Sequence, residues 1–102
     1  ATAYGITRQF PDSERYGLCS QLQRAGVSVP SNIAEGHAVG MTKPFKRHLR
    51  IANGSLAEME TDVLLAERLS YIESLTASRF MEQTSEVRRM IFGLMNALDR
   101  KA

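Results

Sequence analysis

The sequence has one cysteine, Cys19, so no intramolecular disulfide can staple it. It also lacks a cleavable export signal and any apolar run near the ~18 residues that a membrane-spanning helix needs. A reducing cytoplasm and no membrane partner are therefore expected. With no export signal, the sequon-like Asn53-Gly54-Ser55 is set aside as accidental. Strand-like alternation does not persist for more than a few residues, and neither an internal repeat nor a low-complexity tract is present. Charge excess is small as well: 13 Lys plus Arg face 11 Asp plus Glu, for a net charge of +2. Any case for nucleic-acid binding must rest on where the charges lie.

What is present is helical. A chain of 102 residues makes one domain, residues 1–102, able to bury roughly 60–70% of its unfolded surface without metal or disulfide. Ala3, Tyr4 and Ile6 suggest a first helix, and Ala1 falls inside that pattern, so this helix is expected to be cut short. Phe10-Pro11-Asp12-Ser13 punctuates the chain, with Asp12 or Ser13 placed to cap a second helix. There Leu18, Leu22, Ala25, Val29 and Ile33 step by 4, 3, 4 and 4, the spacing of one buried face. A polar stripe, Gln21, Arg24, Ser28, Ser31 and Glu35, runs beside it.

Gly36 and Gly40 bracket an expected short loop, after which Thr42 should cap a third helix that tolerates an early Pro44. Phe45, Leu49, Ala52, Leu56, Met59, Val63 and Ala66 hold a heptad along it to an expected end near Ile72. Following a turn at Glu73-Ser74-Leu75-Thr76, Phe80, Thr84, Val87, Ile91, Leu94 and Leu98 repeat the stepping. Three long helices with short connections, plus a truncated first one, predict an all-α, up-and-down antiparallel four-helix bundle.

One stretch interrupts this regularity. Pro30 cannot donate to the carbonyl of residue 26 and crowds it, at a cost of about 3 kcal/mol in an ordinary helix. Residue 26 is glycine, so Gly26 and Pro30 together suggest a tolerated kink. Gly36 is then expected to end the helix. Asn32 lies at the edge of the apolar stripe, where an unpaired amide would cost roughly 1–3 kcal/mol. A polar network of Ser31, Asn32, Glu35, Asn53 and Ser55 is the expected remedy.

The block Gln21-Leu22-Gln23-Arg24-Ala25-Gly26-Val27-Ser28-Val29-Pro30-Ser31-Asn32-Ile33-Ala34-Glu35-Gly36, followed by Phe45, Leu49 and Ile51-Ala52-Asn53-Gly54-Ser55-Leu56-Ala57-Glu58-Met59-Glu60-Thr61, carries a resemblance. It resembles the four-helix-bundle family first noticed as open reading frames inside intervening sequences of large-subunit ribosomal RNA genes. It is also similar to the related accessory variability protein of diversity-generating retroelements. The resemblance implies an up-and-down bundle assembled into a ring, commonly a homopentamer. In the retroelement branch it implies binding of nucleic acid and of a nucleic-acid-handling protein, the reverse transcriptase. Val39 stands where a basic loop residue is usual in the family, and Asn53 where arginine commonly precedes Gly-Ser, so positive charge is lost at both positions.

From Gly36 to Ala57 there is no Asp or Glu, while Lys43, Lys46, Arg47 and Arg50 crowd the start of the third helix. Together with Arg24 they are the candidate contacts to RNA or DNA. No catalytic, metal or cofactor residues are expected. Neither His37 nor His48 follows a Glu by three residues, as a di-iron bundle requires, and no Arg precedes either at ribonuclease spacing. His48 is expected to pack at the core's flank. Met81, Met90, Phe92 and Met95 lie beyond the fourth helix's seam and are candidates for a subunit interface. The expected function is a non-enzymatic, oligomeric bundle offering a basic rim to nucleic acid; the alternative is a protein-protein adaptor or scaffold.

Overall fold

A computed structural model describes residues 3–101. It contains a short helix α1 (Ala3–Thr7), a single 3-10 turn (Asp12–Glu14), and three long helices, α2 (Leu18–Val39), α3 (Thr42–Arg68) and α4 (Ser74–Lys101). No strand occurs among the described residues. α3 is the central rod, packed against α2 on one flank and α4 on the other, while α1 rests on α2. The molecule measures 47 × 24 × 16 Å, its long dimension set by these rods.

The heptads of α2 and α3 form the core as their spacing predicts. Leu22, Leu49 and Val63 are fully buried, joined by Ile6 from α1 and Ile91 from α4. Burying each such side chain contributes roughly 1.5–3 kcal/mol. On α4 the buried line is Ala77, Phe80, Thr84 and Ile91, with Met95 and Leu98 packed against it; Leu94, expected in the seam, is exposed. A straight helix drifts by ~20° per heptad against a strict seven-residue repeat, and on α4 that drift hands the inward position from Leu94 to Met95.

The helix ends also differ from expectation. Asp12 and Ser13 enter a 3-10 turn rather than capping α2, which starts at Leu18. Glu14 serves there instead, its Oε1 accepting the Leu18 amide at 3.3 Å. Thr42 is the first residue of α3, and no side chain caps that helix. α3 stops at Arg68, short of Ile72, because Ser70 turns to a positive φ of 62°.

α2 runs unbroken through Pro30 and past Gly36 to Val39, where Gly40 adopts the left-handed conformation (φ 73°) that ends it. Gly36 is needed for a different reason. A Cβ there would lie 2.8 Å from Phe45 Cδ1 and 2.9 Å from His48 Cβ, so glycine lets α2 and α3 touch. Gly26 likewise permits close approach, since a Cβ on it would meet Ala3 Cβ of α1 at 3.1 Å.

Candidate nucleic-acid interface

The first turns of α3 carry four cations, and packing divides them. Phe45 and Leu49 turn toward the core, which sends Lys43, Arg47 and Arg50 outward as one exposed strip. None of the three has an ion-pair partner among the described residues. Lys46 points sideways instead and pairs with Asp99 of α4, tying the start of one helix to the end of the other. Its charge is thereby neutralised.

Arg24 does not join the strip. It lines a polar cleft between α2 and α3 with Gln21, Glu58, Thr61 and Asp62. The antiparallel pairing places it level with Glu58, fifteen residues along α3 from Lys43, or about 22 Å at 1.5 Å per residue. Asp62 is only 8% exposed. Burial, and then the nearby Glu58 charge, push its carboxyl above the ordinary range. Arg24 therefore sits among carboxylates, away from the acid-free surface.

Behind the strip lies the polar network, and its membership differs from the expected one. Asn32 Nδ2 donates to the Ser28 carbonyl at 2.9 Å and to Ser28 Oγ at 3.0 Å. Ser55 Oγ donates to the same Ser28 Oγ at 2.7 Å, bridging α3 to α2. Asn32 Oδ1 faces His48 Nδ1 at 3.0 Å, and Glu35 stands at the edge with Oε2 3.9 Å from that nitrogen. His48 thus belongs to the network rather than to apolar packing. Ser28 is its hub, a position that the polar stripe contained and the expected set omitted. Ser31 lies elsewhere, on the side facing an apolar trough.

Asn53 serves a second cluster, between α3 and α4. Its Oδ1 accepts from Arg88 Nε at 3.3 Å, while Arg88 Nη1 donates to Glu60 Oε2 at 3.0 Å and Nη2 to Glu60 Oε1 at 2.5 Å. Thr84 Oγ1 adds a bond to Glu60 Oε2 at 2.6 Å. The bidentate guanidinium, helped by Thr84, outweighs desolvation and holds the Glu60 carboxyl below its ordinary range. Both clusters fix helix register; Thr84, a member of the second, also lines an apolar trough between α2 and α4.

The four residues considered for a subunit interface do not share one surface. Met81 and Met95 pack against the core, whereas Met90 and Phe92 are exposed and, two residues apart, point to roughly opposite sides of α4. Among the described residues no group of three or more His, Cys, Asp or Glu could hold a metal ion. No helix there is long and apolar enough to cross a membrane.

Among known families, the one described as 23S rRNA-intervening sequence protein matches residues 1–93. No curated protein matches the chain.

Proposed function

We propose that this chain, which belongs to the 23S rRNA-intervening sequence protein family, is a non-catalytic bundle that binds nucleic acid through the outward strip Lys43, Arg47 and Arg50. The observation that supports this most is a set of three exposed cations without carboxylate partners among the described residues. Lys43 sits in the first turn of α3, where the helix dipole disfavours positive charge by roughly 0.3–1 kcal/mol. A strip whose first cation is kept at a local cost, and which no other described residue neutralises, suits an anionic partner. The seven steps from Lys43 to Arg50 extend about 10 Å along α3, enough to meet two or three phosphates.

One copy would bind weakly. Assembly into a homo-oligomer, a pentamer if it follows the relatives that the sequence resembles, would bring several strips to one rim and raise avidity without new contacts.

The test is fluorescence anisotropy of labelled RNA and DNA across a salt series, comparing the parent with a Lys43→Ala/Arg47→Ala/Arg50→Ala variant. On duplex DNA each lost phosphate contact should reduce the log-log salt slope by about 0.9, so the variant should lose up to about 2.7. Unchanged affinity and slope in the variant would exclude this surface. A partner complex that survives high salt would favour the adaptor role instead.

A further inference from the structure

The polar cleft between α2 and α3 holds three charged side chains that do not pair with one another. Arg24 stands on its α2 side, and Glu58 and Asp62 stand on its α3 side. None of the three makes an ion pair or a hydrogen bond among the described residues. There is room between them: the α3 wall carries Gly54 and Ala57, and a Cβ on Gly54 would meet nothing within 4 Å. The cleft has a volume of about 570 Å³, within the roughly 300–1,000 Å³ of small-molecule sites.

Asp62 shows what the cleft demands. It is only 8% exposed, yet no buried side-chain oxygen or nitrogen lacks a partner, so its unbonded carboxyl oxygens meet solvent at the cleft it lines. Burial and then the Glu58 charge, one turn back on the same face, both work against its ionised form. Side chains four residues apart on a helix stand about 5–6 Å apart at Cβ, so one cation beside Asp62 and another beside Glu58 would relieve both effects. Arg24 does not do so, because it pairs with neither carboxylate.

Arg24 sets the complementary requirement, since a guanidinium offers paired donors to a carboxylate. Gln21 and Thr61 add neutral partners; Thr61 Oγ1 donates to the Ala57 carbonyl at 3.1 Å, which leaves its oxygen as an acceptor. One positive and two negative side chains match a ligand with one anionic and two cationic groups. Arg24 and Glu58 lie level across the cleft, so they suit a carboxylate and an ammonium carried on one carbon. Asp62 lies about 6 Å further along α3, within reach of the side-chain cation of the same molecule.

We infer that the α2–α3 cleft binds a free basic α-amino acid, with its carboxylate on Arg24, its α-ammonium beside Glu58 and its side-chain cation against Asp62. A lysine or arginine side chain of another protein would bring the cation alone and leave Arg24 unanswered. The site is separate from the outward strip on α3 and does not depend on nucleic-acid binding there.

The experiment is an NMR titration of the 15N-labelled chain with L-arginine and with agmatine, the same molecule without its carboxylate. L-arginine should shift the amide signals of the cleft residues saturably, with a Kd below about 1 mM, and agmatine should bind at least about tenfold more weakly. Asp62→Asn keeps the side chain's shape and removes an unpartnered buried charge, so the fold should persist, as the spectrum itself checks; its affinity for L-arginine should fall by about tenfold or more. Arg24→Ala should weaken L-arginine to a similar degree while leaving agmatine within about twofold. Arg79→Ala, which removes an exposed cation on α4, should change neither. No saturation by about 10 mM L-arginine would overturn the inference, as would unchanged affinity in Asp62→Asn. Agmatine binding as tightly as L-arginine would also overturn it, assigning the cleft to a lone cation such as a partner's basic side chain.

Discussion

His48 on α3 and Asn32 on α2 face each other at 3.0 Å between Nδ1 and Oδ1. Asn32 spends its Nδ2 hydrogens on Ser28, so its oxygen is the acceptor and His48 carries the proton on Nδ1. Through Ser28 the chain of contacts continues to Ser55, locking the two helices in one register. Asn32→Ala should therefore destabilise the fold by about 1–3 kcal/mol, since a half-buried ring donor and the Ser28 acceptors lose their partner. In urea titrations, a cycle of Asn32→Ala with His48→Ala should show coupling of about 0.5–3 kcal/mol. Strict additivity would mean the contact contributes nothing.

Glycines in this bundle should respond oppositely to the same substitution. Gly36→Ala places a methyl 2.8 Å from Phe45 Cδ1 and 2.9 Å from His48 Cβ and should destabilise by about 1–3 kcal/mol as α2 and α3 are forced apart. Gly54 meets nothing within 4 Å. At that exposed helical position Gly54→Ala should stabilise by about 0.5–1 kcal/mol. Thermal melts of the two variants, shifted in opposite directions, are the expected result.

The contrast between Gly36 and Gly40 also marks where the sequence stops being informative. Heptad spacing located the cores of α2 and α3 because burial repeats at the helical period, and it separated Lys43, Arg47 and Arg50 from Phe45 for the same reason. A glycine has two uses, a left-handed cap or a close contact between helices, and spacing along one helix does not distinguish them. Partner choice in the polar clusters was hidden likewise. Whether Asn53 meets Asn32 or Arg88 depends on the rotation of α3 between two neighbours, which only the assembled bundle defines. From sequence His48 reads as a packing residue, because a lone histidine beside an apolar seam gives no sign of an asparagine on the next helix. The switch from Leu94 to Met95 follows from helical drift, a small angle that accumulates along α4.

Two carboxylates two residues apart on α3 should respond to pH with opposite signs. Glu60 is held below its ordinary value of 4.5 in the fold, so its contribution is complete above that pH and is lost as pH falls through the folded value. Asp62 is raised above 3.8, so below that pH it costs nothing, and its penalty grows as pH rises through the folded value. Glu60→Gln should flatten the acid limb of stability against pH. Asp62→Asn should stabilise the protein at neutral pH, with the gain disappearing below the ordinary carboxyl value of 3.8, as measured by urea midpoints across the acid range.

Lys46 and Arg24 separate a local reading of charge from a simple count. If the strip binds phosphate, Asp99→Asn should free Lys46 beside Arg47 and Arg50, raising affinity and steepening the salt slope by about 0.9, one further phosphate. Because the Lys46–Asp99 pair lies at the surface, stability should fall by no more than about 1 kcal/mol. Arg24→Ala removes the same formal charge as any strip substitution but should leave the slope unchanged, since Arg24 lines a cleft that also holds Glu58 and Asp62, about 22 Å along α3 from Lys43. Anisotropy titrations of both variants at several salt concentrations decide the matter. Equal losses for Arg24→Ala and Arg47→Ala would mean that net charge, not the strip, governs binding.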